Sequence, residues 1–365
     1  MEALSAKNRW IRSLNLEPVD RLVFWPKLDA AYPLGQSDRF GSMSNAELHE
    51  WIGSDQHVNI PTCVRQIRTK TKIETERKGN RQQTRYISSS GKVLERTDGF
   101  DERSQAWHPI SFPVTDLGSI EIMREMFSDV SVELDKDLLE IAQNRYEEIG
   151  NTALAAAGNG TSPIMNTVQH LTGLEAGQYL LADHPDAMTA LLEDMHRVVV
   201  DTCRIQCKHH PADVFYMIEN TSTTLLSPGQ YRSLSFPHVM EYARIAEEYG
   251  SMMLLHMCGH LKAILPDLAT LPVTGFEAFT SPTVGNTTLA DGRRVCPDKC
   301  LIGGTNAATW IKPAAEIIDE IKDSLGNLPH ARGIVLTSAG VMPPLCSPET
   351  IREVCEWVKS YKIPA

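Results

Sequence analysis

The chain has 365 residues, of which 42% are hydrophobic and 22% charged, a composition that supports a large folded core and excludes a disordered polymer. Its formal net charge of -11 and the lack of any Lys/Arg run exclude a nucleic-acid-binding face, which has to displace phosphate counterions. MEALSAKNRW has no secretory pattern and no apolar run reaches the ~20 residues that cross a bilayer, so a cytoplasmic protein with eight mostly reduced cysteines and no membrane partner is expected.

In chain order, the first strand is expected in LVFWP, Leu22 to Pro26. Three further runs, Lys70 to Arg77, Gln83 to Ser88 and Lys92 to Arg96, are separated by the turn signals KGN and SSSG and predict an antiparallel meander. Residues 64 to 112 are therefore read as a β excursion, followed by a polar helical segment to about residue 149. From residue 151 short apolar runs alternate with longer amphipathic ones. Strands are expected at Thr152 to Ala157, Val214 to Ile218, Met252 to Leu255, Gly275 to Phe279, Cys300 to Ile302 and Gly333 to Thr337. Helices are expected at Pro185 to His209, Pro228 to Tyr249 and Pro313 to Leu325, opened by prolines whose missing N–H costs nothing in a first turn. This alternation gives an α/β class with a parallel sheet, and the length suits one (β/α)8 TIM barrel over residues 1–365 with the antiparallel excursion inside it.

SMMLLHMCGH puts an apolar run directly before His256 and Cys258. Residues two apart on a strand end point the same way, so this imidazole and thiol can converge on one ion. Cys346 follows the last expected strand, and in a closed barrel it shares the C-terminal rim with them. Two thiolates and an imidazole make a zinc set with a fourth position for a carboxylate, water or substrate. On spacing alone the other reading also stands, in which these are a core cysteine pair and a hydrogen-bonded histidine. Cys203 and Cys207 lie four apart within an expected helix and are read as helix packing positions. Glu219 follows the strand DVFYMI and Glu277 sits inside GFEAF. Both are expected to look into the barrel mouth as catalytic carboxylates, Glu277 also as an exchangeable metal ligand; the alternative is a cap on the following helix.

HMCGH followed by LKAILPDLA, then GFEAFTSPTVGNTTLADGR, IGGTN and the Gly/Pro/Cys segment before SPETI resemble the uroporphyrinogen decarboxylase superfamily. The HxC pattern with a distant cysteine resembles its zinc-dependent corrinoid methyltransferase branch, which implies Zn2+ on His256, Cys258 and Cys346. The decarboxylases carry an arginine-rich motif resembling MRQAGRY, and its absence argues against porphyrinogen decarboxylation. The branch includes enzymes that methylate a thiol such as coenzyme M and enzymes that demethylate methoxylated arenes. The long excursion, ENTSTTLLSP and TSPTVGNTTL resemble the O-demethylases more closely. The resemblance thus implies a small-molecule methyl donor and a corrinoid (cobalamin) acceptor. Asp55, Gln56 and His57 begin a D-x-H-x-x-G cobalt motif, but Ile60 stands where its glycine would, so the corrinoid is expected on a separate partner protein.

Overall fold

The computed structural model describes residues 3–29 and 31–362. Eight parallel strands among them form a nearly closed barrel: β1 (Val23–Trp25), β2 (Gln56–Asn59), β3 (Ala153–Gly158), β4 (Val214–Ile218), β5 (Met253–His256), β6 (Gly275–Phe279), β7 (Cys300–Gly304) and β8 (Ile334–Thr337). They pair in the order β1-β8-β7-β6-β5-β4-β3-β2, with helices between them in sequence. This is the expected (β/α)8 architecture.

Where the ladder ends, β1 and β2 meet through one residue. The Asp55 amide donates to the Phe24 carbonyl at 2.8 Å, and the Asp55 carboxylate accepts the Phe24 amide at 3.1 Å. The same carboxylate receives Arg9 Nη1 at 2.7 Å and Arg21 Nη1 at 2.6 Å, so the seam is held by a buried, fully engaged anion. Asp55, Gln56 and His57 are therefore the entry and start of the second barrel strand, not the fragment of a cobalt motif.

Two apolar cores follow from the pleat. One lies inside the barrel, where Trp10 of the first helix (Ala6–Leu14) packs edge-on to Trp25 at 5.7 Å and joins Leu154, Val214, Leu254, Ile302 and Val335. The other lies between the outer strand faces and the helices, with Phe24, Phe215, Phe276 and Phe279 against Tyr242, Trp310 and Ile351. Cys203 and Cys207 belong to that outer core, in the helix Pro185–His209.

The excursion has four antiparallel strands, Lys72–Lys78, Arg81–Ile87, Val93–Asp101 and Ala106–Ser111, one more than the sequence pattern suggests. The extra strand contains Pro109, which an edge strand tolerates and which hides the alternation. The stretch read as one polar helix to residue 149 divides into a helix Leu117–Ser128, a strand Val130–Leu134 paired with Val64–Arg68, and a helix Lys136–Ile149. Among the described residues no helix is long and apolar enough to cross a membrane.

Candidate active site at the barrel mouth

Alternation along each strand decides what enters the barrel. Trp25, His57, Tyr216, Ile218, His256 and Glu277 all line one cavity of about 730 Å³ together with Gly158, whose missing side chain leaves room on that side. Strand register places Ile218 beside His256 and His256 beside Glu277, so the last inward residues of β4, β5 and β6 stand at one level.

A bulge shapes β6. Ala278 has φ 58, and the register against β7 shifts between Glu277 and Phe279. The extra residue lets Glu277 face the interior while Phe279, two positions on, packs in the outer core. Gly303 of β7 is required beside it, because a Cβ there would overlap the Phe279 carbonyl. Asn220 (φ 50) and Ala339 (φ 64) follow β4 and β8, so three left-handed non-glycine residues sit on this rim. Each such residue costs on the order of 1–3 kcal/mol, strain that typically persists where function holds it in place.

The Glu277 side chain is 1% exposed. Its Oε1 lies 3.1 Å from Lys27 Nζ, and its Oε2 takes a short contact from His256 Nδ1. Burial alone would push this carboxyl up, but the Lys27 ammonium and the His256 ring outweigh burial and hold it at about 2. The same contacts act on His256: burial lowers its pKa, while Glu277 and then the Cys258 thiol raise it to about 9. Burial likewise raises the Cys258 thiol, and the adjacent His256 reverses that and brings it below its ordinary value. Cys258 Sγ also donates to Asn220 Oδ1 at 3.3 Å. A chain of contacts thus runs from Lys27 through Glu277 and His256 to Cys258 and Asn220.

This chain suits a metal on chemical grounds. A histidine that ligates zinc typically gives its other ring nitrogen to a carboxylate, and Glu277 holds Nδ1 here, leaving Nε2 free to ligate. With both of its oxygens engaged, Glu277 has the contacts of an orienting carboxylate rather than of a ligand. The third expected donor stands apart. Cys346 is buried, its thiol pushed up to about 12 by burial, and Sγ has only the Ser347 carbonyl at 3.9 Å. Among the described residues no three His, Cys, Asp or Glu side chains form a group that could hold a metal ion. The segment carrying Cys346 is nevertheless tied to the mouth: Lys27 N donates to Ser338 Oγ at 3.3 Å and Met342 N to the Lys27 carbonyl at 2.8 Å.

Glu219 does not look into the mouth. Val214 and Tyr216 point inward, so the pleat turns residue 219 to the outer face. There its Oε1 accepts the Ser162 amide at 2.7 Å, its Oε2 has no partner, and burial pushes the carboxyl up. The expectation of two mouth glutamates is corrected to one. Sequence reasoning missed Lys27, whose signal is an ionisable residue just past a strand, and Tyr216, an inward position of a short strand, and it weighed His57 only as part of a cobalt motif.

The uroporphyrinogen decarboxylase (URO-D) family profile matches residues 122–361. Among solved structures the chain is similar to the methyltransferase from Methanosarcina mazei, at 15% identity and TM-score 0.60 over 98% of each chain, a likeness of fold. It is also similar, at 14% identity and TM-score 0.36 over 59% of this chain and 66% of the other, to a protein named as a vitamin-B12 independent methionine synthase from Listeria monocytogenes. No curated protein matches it.

Proposed function

The chain belongs to the uroporphyrinogen decarboxylase family, and from that premise we propose that it is a methyltransferase, not a decarboxylase. It takes a methyl group from a methoxylated arene and passes it to the Co(I) corrinoid of a separate protein. The arene leaves as a phenolate, which takes up one proton.

The observation that carries this reading is the array from Lys27 to Cys258, a buried carboxylate orienting a histidine beside a thiol of lowered pKa at a barrel mouth. A zinc ion on His256, Cys258 and Cys346 would supply the Lewis acid that stabilises the leaving oxygen. Completing that set requires Cys346 to turn out of the core. The chain's own residues prepare the place: Lys27 keeps Glu277 ionised, Glu277 takes Nδ1–H of His256, and Asn220 accepts the Cys258 thiol hydrogen bond.

Two further features support the reading. Among the described residues the lining carries only one lysine and one arginine, and each has a carboxylate partner, Lys27 in Glu277 and Arg145 in Glu148, which is a sparse cationic lining for a substrate rich in carboxylates. Large apolar side chains are exposed on segments that follow β1, β6, β7 and β8, namely Leu34, Val284, Ile311, Val341 and Leu345. Exposed apolar side chains on the loops that follow barrel strands suit a partner that must bring its corrinoid to the opening. The M. mazei methyltransferase shares the fold over its full length.

The test supplies the purified chain with a panel of methoxyarenes and a reduced corrinoid protein and follows methylation of the cobalt spectroscopically. Transfer is expected only with all three components. Methylation of a thiol from methylcobalamin, with no arene demethylation, would replace this direction by the reverse one.

A further inference from the structure

Below the rim array, the cavity contains groups that the proposed chemistry does not use. The rings of Trp25 and His57 lie 4.5 Å apart between centroids, and those of His57 and Tyr216 5.0 Å apart. They come from β1, β2 and β4 and flank Gly158 of β3, where an added Cβ would meet nothing within 4 Å. These rings pack on one another and, with the open glycine, line an aromatic slot in the cavity. Two polar atoms in it, His57 Nε2 and the Tyr216 hydroxyl, are shielded from solvent and have no hydrogen-bond partner. A buried orphan of this kind costs about 1–3 kcal/mol, and phenylalanine at either position would avoid the cost. A ligand that pairs both atoms removes it.

We propose that this slot receives a methoxylated arene that carries a second oxygen, which His57 and Tyr216 hold at depth while the methoxyl group points up to the rim. The inference rests on the reading of the mouth as a methyl-transfer site and adds the substrate class. Three observations determine it. The aromatic lining suits edge-on or offset contact with a planar ring. Both oxygens of Glu277 above it are engaged, by Lys27 and His256, so this carboxylate does not compete with His57 for the hydrogen of a ligand hydroxyl. Tyr216 is two residues before Ile218 on β4, which puts it about 6.6 Å deeper than the level of His256 and Glu277, the span of one substituted ring. A ligand hydroxyl can donate to an unprotonated His57 Nε2 and accept from the Tyr216 O–H, which pairs both atoms at once.

The test is equilibrium binding of 4-methoxyphenol and of methoxybenzene to the full chain, wild type and the variants Tyr216→Phe and His57→Phe, by calorimetry. It needs neither zinc nor the corrinoid partner. The wild type is expected to bind 4-methoxyphenol roughly tenfold tighter than methoxybenzene, the size that one net hydrogen bond supports. Each variant should lose most of that preference while its affinity for methoxybenzene changes less than about twofold, and Tyr216→Phe should melt no lower than wild type because it deletes an orphan. No preference in the wild type, or a preference that survives in both variants, overturns the proposal and leaves the slot to water. If the preference holds and is lost in the variants but no methyl transfer is found, the slot stands and the methyltransferase reading falls.

Discussion

Lys27→Met removes the charge that keeps Glu277 ionised. The carboxylate is 1% exposed and lies 3.1 Å from the ammonium, so water screens the pair little. Glu277 is held at about 2 against an ordinary 4.5, a displacement worth about 3 kcal/mol from Lys27 and His256 together. Breaking a buried pair from one side typically costs about 3–5 kcal/mol, because the survivor is left uncompensated. Urea unfolding of chelator-treated Lys27→Met at pH 7 is therefore expected to show a loss on the order of 3 kcal/mol. A depressed folded pKa stabilises above the unfolded value, so this contribution is complete above pH 4.5 and disappears as pH falls toward 2, where variant and wild type converge. Glu277→Gln removes the partner, and the double variant should cost less than the sum by about 2 kcal/mol. A coupling below about 0.5 kcal/mol would refute the account of Glu277 as a carboxylate held by Lys27.

Other consequences are open to direct measurement. Cys346→Ala should retain well under one equivalent of zinc after chelator equilibration, and stoichiometric zinc in that variant removes Cys346 from the ligand set. Leu345, 85% exposed on the rim, should matter to the partner and not to the chain itself. Leu345→Asp is expected to raise the KM for the corrinoid protein several-fold at unchanged melting temperature, and an unchanged KM counts against docking at that face. Asp55→Asn leaves Arg9 and Arg21 without their shared anion at the β1/β2 seam and should destabilise by about 3–5 kcal/mol in denaturant unfolding. A loss below about 1 kcal/mol would mean that the seam is held by other contacts.

Period and punctuation in the sequence determined much of the barrel. The runs at Val214–Ile218 and Gly275–Phe279 are short, apolar and bounded by turn signals, and they are strands as expected, and the helix at Pro185–His209 has its start marked by proline. The pairing of His256 with Cys258 was legible for the same reason, since both lie at one strand end. Tertiary structure alone decided the rest. The segment Asp55 to Asn59 is too polar to announce a barrel strand, and it becomes one because Asp55 meets Phe24, Arg9 and Arg21 from elsewhere in the chain. Glu219 and Glu277 look alike as carboxylates at strand ends, yet the pleat turns one outward and the bulge at Ala278 keeps the other in. Local pattern fixes the type of element, whereas the face that a side chain presents and the charge it meets depend on register and closure. The partners that set them, Lys27 for Glu277 above all, lie as far as 250 residues away.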